Sequence, residues 1–183
     1  MTESVIQNDK MTLNPQVIKL PGDLAMWFFI LAELAVFAIF FLGFAVAEKL
    51  NPELFAQGKA QLHTLVGGFN TIVLITASWC VASGMQQLYS QNLRSCFYWL
   101  LAANGFGLSY LIAKSWEYAA LFALGYDIST DTFFGLYFFI TIFHFMHVIL
   151  GMVILFMMMN KICREDTVDD FSSYESGAAY WHM

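Results

Sequence analysis

Charge is what this chain has least of. Asp, Glu, Lys and Arg make up 12% of its 183 residues, where soluble domains carry about a quarter. With 59% hydrophobic residues and a mean hydropathy of +0.62, so short a chain cannot hide its apolar surface in a water-surrounded core. The remaining solvent is lipid, and the 17% aromatic content suits interfacial belts. The eight Lys and Arg are scattered without a basic run, which excludes nucleic acid as a partner. Cysteine is sparse too. Cys80, Cys96 and Cys163 form no CxxC pair and read as packing thiols.

Histidine is equally scarce. The chain has four, with no His-His pair, too few to ligate two haems and a copper. No Glu-x-x-His motif occurs, so a carboxylate-bridged diiron site is also excluded. There is no phosphate loop and no internal repeat. The polar stretch before Pro21 lacks the basic and apolar regions of a signal peptide and the Arg-rich character of a transit peptide. Insertion therefore rests on the first spanning helix.

What is present is a series of long apolar runs. The sequence predicts an all-α polytopic transmembrane bundle with four complete spans and the start of a fifth. The spans are expected at about 24–47, 64–88, 96–124 and 132–159, with an incomplete one at 174–183. Residues 1–22 form a polar N-terminal segment and residues 23–183 one helical membrane domain. Pro21-Gly22-Asp23 stops a helix from running backward, and Asp23 is the expected N-cap. The first run is about 36 Å long at 1.5 Å per residue, enough to cross. Asn51-Pro52 breaks the polar link from Glu48 to His63. The second run is rich in small and hydroxyl residues, among them Gly67, Gly68, Thr71, Ser78 and Gly84, the composition of a helix packed closely on its neighbours. The last ten residues reach only about 15 Å. They are expected either to lie along the interface or to open a fifth span, and the second is preferred.

Counting Lys and Arg by side places Lys10, Lys19, Arg94, Lys161 and Arg164 with the N-terminus, and Lys49 and Lys59 opposite, with Lys114 near that end. The positive-inside rule then puts the N-terminus in the cytoplasm.

Ionisable groups inside a span are costly and mark function by default. Glu33 falls about 15 Å into the first span, near the bilayer middle. It either holds its proton or finds a donor. His144 and His147 share a face of the fourth span, and His147 falls at the depth of Glu33, so a Glu33–histidine contact is expected. These groups read as helix ties or as proton handlers, with haem ligation by His144 or His147 as a further alternative. Lys114 and Glu117, three apart, read as an interfacial ion pair with Lys114 snorkelling. His182 opens the incomplete fifth segment, and His63 sits in a solvated link.

Four collinear segments resemble one family. Residues 21–37, Pro-Gly-Asp-Leu-Ala-Met-Trp through the Glu33 region, resemble a conserved helix of subunit III of haem-copper oxidases. Trp116-Glu117-Tyr118 resembles its Glu-Tyr pair. Thr132-Phe133-Phe134 through Phe143-His144-Phe145-Met146-His147-Val148 resembles its most recognisable helix, and Glu175-Ser176-Gly177-Ala178-Ala179-Tyr180-Trp181-His182 resembles the opening of its last one. The chain is similar to the short five-helix type, which includes the accessory subunit of nitric oxide reductases. The resemblance implies a non-catalytic subunit of a respiratory complex in a bacterial inner membrane, surrounded by membrane lipids. It would stabilise a catalytic partner and support its proton uptake. Haem and copper would sit in that partner, with no cofactor and no metal in this chain. Glu33, His144, His147, Glu117 and His182 are then structural or proton-handling residues. A b-type cytochrome and a small transporter are the competing readings, although transporters usually show internal repeats.

Overall fold

A computed structural model describes residues 24–62, 64–164 and 166–183. The expectations for residues 1–22, for the Asp23 cap and for His63 lie outside the described residues. Six helices occur among these: α1 Leu24–Leu50, α2 Pro52–Ala60, α3 Thr64–Tyr89, α4 Leu93–Ala123, α5 Thr132–Ile162 and α6 Ser172–His182. No strand occurs among the described residues. α1, α3, α4 and α5 are long and apolar enough to cross a bilayer, so the protein is an all-α, multi-pass integral membrane protein. The side where α1 begins is called proximal below, and the opposite side distal.

Local chemistry sets the helix ends. Pro52 occupies the first turn of α2, where its missing N–H costs nothing. The Asn92 side chain accepts from the Ser95 amide at the start of α4, and Asp131 accepts from the Phe134 amide at 2.9 Å at the start of α5. α4 closes with Tyr126 N–H donating to the Leu121 carbonyl across Gly125, whose φ is +86°, a left-handed position that glycine adopts without strain. α3 closes in the same way across Gln91 at φ +57°. Gln91 carries a side chain there, and that side chain is used. Its amide donates to the Val168 carbonyl at 2.8 Å and accepts from the Val168 amide at 3.1 Å. The loop before α6 is thereby fastened to the α3–α4 turn.

One expectation needs correction. The link from Glu48 to His63 is not plain loop, because α1 runs on to Leu50 and α2 follows. Phe55 of α2 is fully buried, and Gly58 lies against the Phe133 ring so closely that an added Cβ would overlap it. For the last segment, the structure goes against the interfacial alternative, which is not the preferred one. α6 enters the bundle and packs against α1, α3 and α5, burying Tyr174 and Tyr180 completely. The Trp181 indole is seated against Gly107 of α4 and Gly151 of α5, two positions where the lack of a Cβ permits the approach.

The apolar core is divided. A proximal cluster joins Cys80, Val81 and Leu88 of α3, Cys96 and Leu100 of α4, Leu155 and Met158 of α5 and Tyr174 of α6. A distal cluster joins Phe55, Leu121, Phe133, Phe134 and Phe138. Between them the apolar core thins to Val73, Tyr110 and Val148, and there the polar side chains collect. α1 contributes one buried residue, Ile30, and does not touch α3. α6 occupies the proximal part of the slot between them.

Candidate functional site

Three helices converge on the first polar centre. Glu33 comes from the middle of α1, His147 from α5 and Tyr180 from α6. Glu33 Oε2 lies 2.7 Å from His147 Nδ1. Tyr180 Oη lies 3.0 Å from the same nitrogen and 3.5 Å from Glu33 Oε1. Nδ1 offers one proton or one lone pair, so it cannot serve both partners as an acceptor. Every group is engaged when one proton lies between Nδ1 and Oε2 and the Tyr180 hydroxyl donates to Oε1. Carboxyl, imidazole and hydroxyl then satisfy one another, which lowers the cost of placing them at mid-membrane. Aromatic rings wall them in. Tyr180 stacks on His147 at 4.5 Å between centroids, Phe29 stacks on Tyr180 at 5.9 Å, and Phe37 meets His147 edge-on at 6.3 Å.

His144 stands one turn distal on the same face, its ring 6.2 Å from that of His147 and 5.8 Å from that of Tyr110. It lines two clefts. One, of about 320 Å³, lies between α3, α5 and α6 and includes Thr71, Ser78 and Trp181. The other, of about 650 Å³, lies between α1 and α5 and includes Leu34, Phe37, Phe41 and Thr141. His182 lines the smaller cleft, as His147 does.

The second centre corrects the expectation of a snorkelling lysine. Lys114 and Glu117 are buried, with side-chain exposures of 10% and 6%. Lys114 Nζ donates to Glu117 Oε2 at 3.1 Å and to Tyr137 Oη at 2.9 Å, and the Tyr137 hydroxyl donates to Glu117 Oε1 at 2.6 Å. The three groups close a ring. Lys114 lies nine residues from the end of α4, about 14 Å at 1.5 Å per residue, and turns inward because Glu117 and Tyr137 are there. Its ammonium also stands 5.3 Å from the centre of the Tyr118 ring, a favourable cation–π distance.

The family model for cytochrome c oxidase subunit III matches residues 12–183. The chain belongs to the cytochrome c oxidase subunit III family. Cytochrome c oxidase subunit 3 of Synechocystis sp. is 24% identical over 157 residues, covering 85% of this chain and 66% of the relative. That of Thermostichus vulcanus is 24% identical over 167 residues, covering 87% and 79%. A haem-copper oxidase subunit I+III of Aeropyrum pernix is 28% identical over 134 residues, 70% of this chain and 16% of that protein. The chain thus spans about two thirds of the length of the first of these relatives.

In this subunit III family member, sequence reasoning located Glu33, His147, Lys114 and Glu117 but missed the two tyrosines that complete the centres. Tyr137 had a signal. It is the one hydroxyl-bearing ring between Thr132 and Phe145, and it falls seven and ten residues before His144 and His147, on one helical face. Tyr180 had none, since its role depends on α6 entering the slot. Among the described residues no group of three or more His, Cys, Asp or Glu side chains could hold a metal ion. The polar side chains instead close on one another.

Proposed function

We propose that this chain is the non-catalytic subunit III of a haem-copper oxidase, bracing the catalytic subunit and sheltering its proton access from lipid. The observation that carries the proposal is the fused relative. Its printed name joins subunits I and III in one polypeptide, and its similarity covers most of this chain. Two subunits that work as one chain elsewhere are neighbours. The internal geometry fits a brace, because both polar centres tie helices to each other. Haem and copper belong to the partner, and oxygen reduction takes place there. The N-terminus faces the cytoplasm, and the membrane is a bacterial inner membrane.

Purification in mild detergent, with identification of the accompanying chains, tests this. A haem- and copper-containing subunit is expected to co-purify. Removal of this chain is expected to leave initial turnover largely intact while shortening the time over which the oxidase stays active. Purification alone, with no such companion, overturns the proposal. A reduced-minus-oxidised spectrum of the isolated chain decides against the b-type cytochrome if it shows no sharp haem band.

A further inference from the structure

We propose that the buried polar groups around Lys114, carried by α3, α4 and α5, hold ordered water. α3 and α4 run antiparallel, and their register is fixed. Gly84 faces Trp99 and Leu100, and Val73 packs with Tyr110. Fourteen residues back from Gly84 is Asn70, and fourteen on from Leu100 is Lys114, so the two share a level. Asn70 is 6% exposed, and its Oδ1 is fully buried with no hydrogen-bond partner among the described residues. The Tyr118 hydroxyl, one turn from Lys114, is the second such atom. It lies beside Thr141, whose own hydroxyl proton is spent on the Tyr137 carbonyl at 2.7 Å.

A buried polar atom left unpaired is expensive and rare, and a bridging water is the usual remedy. The Tyr118 ring stands 5.3 Å from the Lys114 ammonium, and Asn70 shares the level of Lys114 on the facing helix. The hydrogen bonds of the Lys114–Glu117–Tyr137 ring leave ammonium and carboxylate capacity over, since an ammonium has three donors and a carboxylate about four acceptor sites. A water there has the two to four polar partners it needs. It also has a route in. Thr141 lines the 650 Å³ cleft between α1 and α5 while standing beside Tyr118, so the cleft and the buried ring share one wall.

The hydrated and dry arrangements predict opposite responses. If Asn70 Oδ1 is dry, replacing it with an apolar group of similar size removes a penalty, and Asn70→Leu raises the thermal midpoint of the full chain in lipid nanodiscs. If water bridges it, the substitution strips partners from the ring, and the midpoint falls by about 3–8 °C. A fall is expected, and a rise or no change overturns the site. Water-edited solid-state NMR of the wild-type chain in lipid gives a second measurement that does not depend on a variant folding. The Asn70 and Tyr118 side chains are expected to receive water magnetisation several-fold faster than Val73 and Ala77. Equal build-up at all four overturns the proposal.

Discussion

The Glu33–His147 pair is partly buried and the Lys114–Glu117 pair buried, and they differ in what happens when one member is lost. Loss of Glu33 from the first removes its interhelical hydrogen bonds to His147 and Tyr180. Glu33→Leu is expected to cost about 1–2 kcal/mol, the range for such bonds in membranes. Glu33→Gln, which keeps a donor and an acceptor, costs less. Thermal midpoints of the two variants in lipid nanodiscs check the order, and equal losses contradict the tie. The second pair holds a full charge of each sign. Lys114→Met leaves the Glu117 carboxylate buried without its counter-charge, at about 3–5 kcal/mol. Adding Glu117→Gln removes that charge and is expected to recover most of the loss. A double-mutant cycle measures the coupling, and simple additivity would show that the two groups do not act as a pair. The meeting of Glu33 with His147 was legible because depth along a helix follows from residue count, and both residues count to mid-membrane. The inward turn of Lys114 was not, because it depends on Tyr137 from another helix.

Among the elements, the spans were legible and the joints were not. Apolar length alone finds α1, α3, α4 and α5, and their ends move by only a few residues in the structure. α2 is hidden because nine residues with Glu53, Gln57 and Lys59 look like solvated loop. Only the burial of Phe55 against Phe44 and Phe133 makes them an element. Gly58 is its most demanding position. Gly58→Ala drives a methyl into the Phe133 ring and is expected to cost about 1–3 kcal/mol by overpacking. Lys59→Ala, which breaks only the exposed Lys59–Glu48 ion pair at 2.5 Å, changes stability by about 0.5 kcal/mol or less. Chemical unfolding of both variants tests the contrast. At the other joint, Gln91 bears the strain of a left-handed conformation while clasping Val168. Gln91→Ala keeps the strain and loses the clasp, whereas Gln91→Gly loses both. Gln91→Ala is therefore expected to be the less stable by about 1 kcal/mol. Both variants should make the 163–171 loop easier to cleave by protease. Equal stability of the two would show that the φ at position 91 carries no strain.

In the whole molecule, α1 and α2 form a unit attached to the rest by few contacts. α1 buries only Ile30, and its partners are α2, α5 and α6. Its outward residues, Phe28, Leu31, Ile39, Leu42 and Val46, are all more than half exposed, as a lipid- or partner-facing helix requires. Lipid is as apolar as these side chains, so no hydrophobic force holds α1 to α5, and association rests on packing and hydrogen bonds. Two features supply them: the Glu33–His147–Tyr180 centre at mid-membrane and the seat of α2 on Phe133 at the distal end. If these two ties hold the unit in place, the covalent link between α2 and α3 is dispensable. A chain divided after Leu62 and expressed as two pieces is then expected to reassemble, the larger piece carrying the smaller through purification. Glu33→Leu or Gly58→Ala alone should weaken recovery of the smaller piece, and the two together should abolish it. Retention of the smaller piece by the double variant would mean that ring packing of Phe37 and Phe40 against Phe143 suffices, and that the Glu33 carboxyl is kept for something other than assembly.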